Sequence, residues 1–168
     1  MGTESVQAIR EALGRLITGG LLPYNVGENG GCLLDLGLVK ARRKVLDGDA
    51  DEGERYEADT NALRAVLEAA VAHKDISGKH RRLLRAIFPL DTELLGKSIK
   101  DRREVAGEVL KPGKKAVTAG TIRNYYEPKA LEKIVGVLWK MELELQAKET
   151  PPTASKPTLK AQTEGSDS

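Results

Sequence analysis

The chain has 168 residues, of which 40% are hydrophobic, 31% charged and only 4% aromatic, with a formal net charge of +2. That length gives one domain with a real core, or a domain and a small appendage, and excludes anything larger. With so few aromatics the core must be Leu, Val, Ile and Ala, which disfavours a sheet and favours helices.

Residues 4–17 place Val6, Ile9, Leu13, Leu16 and Ile17 on one helical face, and Gly19-Gly20 stops that helix. Residues 21–32 are turn-rich and read as a loop. Helical spacing resumes over 33–46, with Leu34, Leu38, Ala41 and Val45 aligned. Residues 47–59 hold seven acids against Arg55 alone and read as an acidic loop. Thr60 or Asp59 then caps a helix through His73, with Leu63, Val66, Leu67, Ala70 and Val71 apolar.

After a break at Asp75–Gly78 comes a basic helix from Lys79, whose core face is Leu83, Leu84, Ile87 and Phe88. Ser98 caps the next helix, Asp101 stands at the capping-box position, and Ile99, Ala106 and Leu110 face inward. Pro112-Gly113 ends it. Thr118 caps a further helix to about Tyr126, and Pro128 opens a last long helix carrying Leu131, Ile134, Val135, Leu138, Met141 and Leu145. From Lys148 onward large apolar residues all but vanish, which predicts a disordered tail over 148–168. The expected fold is all-α, a helical domain of about six or seven helices over 1–147.

The familiar catalytic and metal patterns fail. Asp47, Asp49 and Asp51 start a calcium-loop template, but Glu52 replaces its glycine and Ala58 its closing bidentate Glu. Asn29-Gly30-Gly31 lacks the Lys-Ser or Lys-Thr of a phosphate loop, and its glycines read as turn formers. Two histidines and one cysteine cannot supply usual zinc spacing. Cys32 cannot form an internal disulfide and reads as a small buried hydrophobe. No metal, no cofactor and no enzymatic activity is expected. No apolar run approaches the ~18 residues of a membrane span and no secretory h-region opens the chain, so a cytoplasmic location without membrane contact is expected.

Charge distribution carries the functional expectation. From Lys79 to Lys140 there are fifteen Lys or Arg against seven acids, a net of +8. A basic half beside an acidic stretch is the footprint of a phosphate-binding face. Within it, Val117-Thr118-Ala119-Gly120-Thr121-Ile122-Arg123 opens a capped helix with small hydroxyl residues, then an Arg and two Tyr, the composition of a helix that reads a DNA groove.

That segment resembles the start of a helix-turn-helix recognition helix, with Ala106 as the small residue of the preceding helix that allows close crossing. Ala106 and Val117 stand eleven apart, where the ordinary motif has about five, and Lys111-Pro-Gly-Lys-Lys115 fills the difference. Leu83 to Leu143, through Leu83–Leu90, Arg103–Leu110, Thr121–Glu127 and Glu127–Leu131, resembles a small helical module of actinobacterial proteins, and the helix-turn-helix-like part is expected over 79–146. The resemblance implies a degenerate helix-turn-helix or winged-helix-like fold. The partner expected is double-stranded DNA, in a role such as transcription regulation. Thr121, Arg123 and Asn124 are then the base-contact candidates, and Arg102, Lys111, Lys114 and Lys115 the phosphate-contact candidates. The alternative is a non-catalytic adaptor presenting the same module to a protein partner.

Overall fold

The computed structural model describes residues 3–110 and 115–149. All regular structure among them is helical. The elements are α1 (Thr3–Gly19), α2 (Pro23–Asn29), α3 (Gly37–Arg42), α4 (Glu52–Val71), α5 (Gly78–Ile87), α6 (Ile99–Leu110), α7 (Ala119–Thr121) and α8 (Glu127–Glu149). A 3-10 segment at Gly31–Asp35 precedes α3, another at Thr92–Leu94 precedes α6, and a π-helical turn at Ile122–Tyr126 joins α7 to α8. The all-α expectation holds. With no strand among the described residues, no wing of the winged-helix form occurs there.

The 3.6-residue period places the core correctly along the long helices. Ile9, Leu13, Leu16 and Ile17 of α1, Leu63, Val66, Leu67, Ala70 and Val71 of α4, and Leu83, Leu84 and Ile87 of α5 with Phe88 are all buried. They join Ile134, Val135 and Leu138 of α8 in one contiguous cluster. α8 is the central strut, packed against α1, α3, α4 and α5, while α5 packs chiefly against α6. Gly20 leaves α1 with φ +81°, a conformation open to glycine without strain.

Four expectations about the first half are corrected. The loop expected at 21–32 contains α2, because Pro23 fills the first helical turn where no N–H is needed. α2 lies so close to α4 that a Cβ on Gly27 would stand 2.3 Å from the Tyr56 ring. The helix expected over 33–46 shrinks to α3, and Val45 of its aligned face is 92% exposed. The start of α3 has no local side-chain cap. Glu142 of α8 supplies it instead, accepting from Gly37 N at 2.9 Å and Leu38 N at 3.1 Å.

The acidic stretch is half helix. Asp51 caps α4 by accepting from Glu54 N, and the Glu54 carboxylate returns to Asp51 N, a complete capping box. Glu52 and Glu54 then sit in the first turn, where the helix dipole favours negative charge. Thr60, expected as a cap, is buried mid-helix with its hydroxyl donated to Tyr56 O at 2.7 Å. Asp59 pairs with Arg43 at 2.7 Å.

At the other end α8 reaches Glu149, two residues into the expected tail. The rest of that tail lies outside the described residues, as does the Pro112-Gly113 stop.

Candidate nucleic-acid interface

The segment that should read DNA is held from below by α6. Ser98 Oγ accepts from Asp101 N at 3.1 Å, which starts that helix as expected. One face of α6 then buries Ala106, Gly107 and Leu110. Val117 N donates to Gly107 O at 3.1 Å, and a Cβ on Gly107 would stand 1.9 Å from Val117 O. Gly107 is therefore the small residue that permits the close approach, one step from the Ala106 expected for it. Ala106 is buried beside it.

Beyond Val117, Thr118 caps the helix as the sequence indicates, its Oγ1 accepting from Thr121 N at 3.2 Å. Ile122 is buried and docks the helix on the core. Thr121, Arg123 and Asn124 are exposed, and among the described residues Arg123 and Asn124 have no hydrogen-bond or ion-pair partner.

The expected stop at Tyr126 does not occur. The backbone stays helical through Ile122 and Glu127, so α7, the π turn and α8 form one continuous rod. Pro128 explains the irregular turn. Its missing N–H and its ring both conflict with the carbonyl four residues back, that of Asn124. The wider turn, closed by Glu127 N donating to Ile122 O, absorbs that conflict. Arg103 of α6 braces it, with Nε and Nη2 donating to the two Glu127 carboxylate oxygens at 2.8 and 2.9 Å in a largely buried fork.

Of the phosphate-contact candidates, Lys115 is exposed beside the cap. Lys111 and Lys114 lie outside the described residues. Arg102 must be withdrawn. It is 1% exposed, with Nε donating to Lys97 O at 3.1 Å, Nη1 to Ile87 O and Nη2 to Thr18 O at 3.4 Å. Those carbonyls belong to the end of α1, the end of α5 and the approach to α6, so Arg102 ties three segments together inside the molecule. Burial pushes its pKa below the usual guanidinium range, with Arg103 adding to the effect.

The same sorting runs through the whole basic half. Arg81 donates to the carbonyls of Val71, His73 and Ile76, closing the end of α4. Arg82 donates to Val109 O at 3.1 Å. Arg85 pairs with Glu68 at 2.5 Å and Asp91 at 2.6 Å. These arginines hold the fold, as their planar multi-donor heads suit them to do. Among the described residues, Lys97, Lys100, Lys115, Lys129, Lys133 and Arg123 are exposed with no carboxylate partner.

Tyr125 and Tyr126, expected from the sequence to divide between core and phosphate contact, belong to a group whose assembly the sequence does not show. Lys79, at the start of α5, lies with Nζ 4.8 Å from the centre of the Tyr126 ring. Lys129 lies with Nζ 3.9 Å from the centre of the Tyr125 ring. The two rings meet edge to face at 4.9 Å. Tyr125 is 53% exposed and Tyr126 half-buried, so the pair divides between surface and core. His80 follows Lys79 in α5. Burial lowers its pKa first, and Lys79, Lys133 and Lys129 lower it further. The spacing of Tyr125, Lys129 and Lys133 at i, i+4 and i+8 was available in the sequence. Their meeting with Lys79 is purely tertiary.

Among the described residues no group of His, Cys, Asp or Glu is placed to hold a metal ion, and no helix is long and apolar enough to cross a membrane. Cys32 is half-buried against the core, and burial raises its thiol pKa. No protein-family model, curated protein or solved structure matches the chain.

Proposed function

We propose that the chain binds duplex DNA and acts in transcription regulation, with the Thr118-capped helix entering the major groove. One observation carries this reading. Thr121, Arg123 and Asn124 stand exposed on a helix start that Ile122, Gly107 and the Arg103–Glu127 fork hold rigidly on the core. Among the described residues Arg123 and Asn124 have no hydrogen-bond or ion-pair partner, and Thr121, whose Oγ1 accepts from Thr118 Oγ1 at 3.0 Å, keeps its own hydroxyl proton. Side chains on a fixed helix can read base edges, because the geometry is settled before the ligand arrives. Arg123 has the fork that matches the O6 and N7 of guanine, and Asn124 the amide that matches the N6 and N7 of adenine. Thr121 has a hydroxyl and a methyl to offer either a base edge or a thymine methyl.

Enrichment from a randomised duplex pool tests this directly. The native chain should enrich a short motif. Arg123→Ala and Asn124→Ala should each relax one or two positions of it, at roughly 1–3 kcal/mol per lost bidentate contact. A pool that stays random under the native chain removes the base-reading role, and the same face is then to be mapped for a protein partner.

A further inference from the structure

The withdrawal of Arg102 leaves the proposed interface short of phosphate contacts, and the tyrosine–lysine group supplies them. We propose that Lys79, Lys129 and Lys133 form a phosphate-binding surface for the DNA backbone alongside the reading helix. The inference rests on the duplex-binding reading and adds where the backbone lies.

Of the carboxylates nearest in the chain, Glu127 pairs with Arg103, Glu132 with Arg10 at 3.0 Å and Asp75 with Lys140 at 3.2 Å; Glu132 and Asp75 line a cleft together with Lys133 but form no ion pair with it. Among the described residues none pairs with Lys79, Lys129 or Lys133. Lys79, Lys133 and Lys129 are the charges that act on His80. A fold gains nothing from gathering like charges, which repel unless an anion joins them. The two rings give the ammonium groups a preferred resting place, because each lies over an electron-rich face. Tyr125 follows Asn124 in the same helical turn, so an anion held here lies within one turn of the reading side chains. A polyanion with regularly spaced phosphates meets all of these features.

The test is the salt dependence of binding to a mixed-sequence duplex of about 20 base pairs, using the full chain. Each phosphate contact contributes about 0.9 to the slope of log affinity against log salt. The variant carrying Lys79→Gln, Lys129→Gln and Lys133→Gln should lower that slope by between about 2 and 3 while keeping the native melting temperature, since all three side chains are exposed. The matching triple change to Arg should keep the native slope. A glutamine triple that binds with the native slope overturns the surface and leaves the duplex reading intact, and so does an arginine triple that loses as much as the glutamine triple. A native chain that ignores duplex DNA at ~50 mM salt overturns both.

Discussion

Two regions of the basic half use their cations in opposite ways. Between α5 and α6, guanidinium groups are consumed by the protein: Arg102, Arg81 and Arg82 on carbonyls, Arg85 and Arg103 on carboxylates. On the face from Lys115 to Lys133, with Lys79 alongside, Lys79 and Lys129 lie over rings and none of the cations forms an ion pair among the described residues. A net of +8 over this half is therefore not a measure of its surface. The difference follows from chemistry. A buried cation survives only where several fixed acceptors replace its water, and the arginine fork can reach several at once.

The sharpest way to break this comparison is at its buried side. Arg102→Ala should strand the carbonyls of Ile87, Lys97 and Thr18 and leave a cavity, at a cost of about 3–5 kcal/mol. In a domain of this size that is roughly 10 °C of melting temperature, readable by circular dichroism. If Arg102 were a phosphate contact instead, the variant would melt like the native chain and lose only DNA affinity.

Gly107→Ala should come next, at about 2–3 kcal/mol. The added methyl meets the Val117 carbonyl, a backbone atom that cannot swing aside as a side chain would. The loss should be accompanied by weaker DNA binding than the fall in folded fraction explains, because Val117 leads into the Thr118 cap. Binding that tracks the folded fraction alone would show that the reading helix does not depend on this seat.

How much of this was legible in the sequence depended on the range of the interaction. The apolar faces of α4, α5 and α8 follow from local spacing, and so do the caps at Ser98 and Thr118, whose partners lie three residues away. Val45 kept the right spacing and is solvent-exposed, since α3 ends at Arg42 and nothing covers the continuation. Asp51 and Glu54 formed a readable capping box, masked by the density of acids around them. Arg102 could not be placed, because its acceptors lie as far away as Thr18. Nor could Glu142, which caps a helix 105 residues earlier in the chain. Thr121, Arg123 and Asn124 are exposed, which follows from the cap and the buried Ile122. Lys79 was visible only as one basic residue among fifteen, since what sets it apart is the ring of Tyr126.

A smaller effect probes the exposed side. His80 is neutral more readily than an ordinary histidine, first through burial and then through Lys79, Lys133 and Lys129. The unfolded chain therefore binds a proton there more readily than the folded one. The stability this confers on the folded state is complete above the ordinary value near 6.5 and falls as pH drops below it towards the lowered folded value. His80→Gln should flatten the dependence of melting temperature on pH in that window. An unchanged dependence would mean that neither burial nor the lysines disfavour the charged form of His80.

The central claim, that the face from Thr118 to Lys133 engages duplex DNA, is tested most directly by the anisotropy of a labelled mixed-sequence duplex titrated with the full chain at ~50 mM salt and then at ~200 mM. The account predicts binding at the lower salt with a Kd on the order of micromolar, weakening steeply at the higher salt as condensed counterions cease to be released at a gain. Anisotropy that stays flat at ~50 mM salt, with the protein shown to be folded in the same sample, would contradict it.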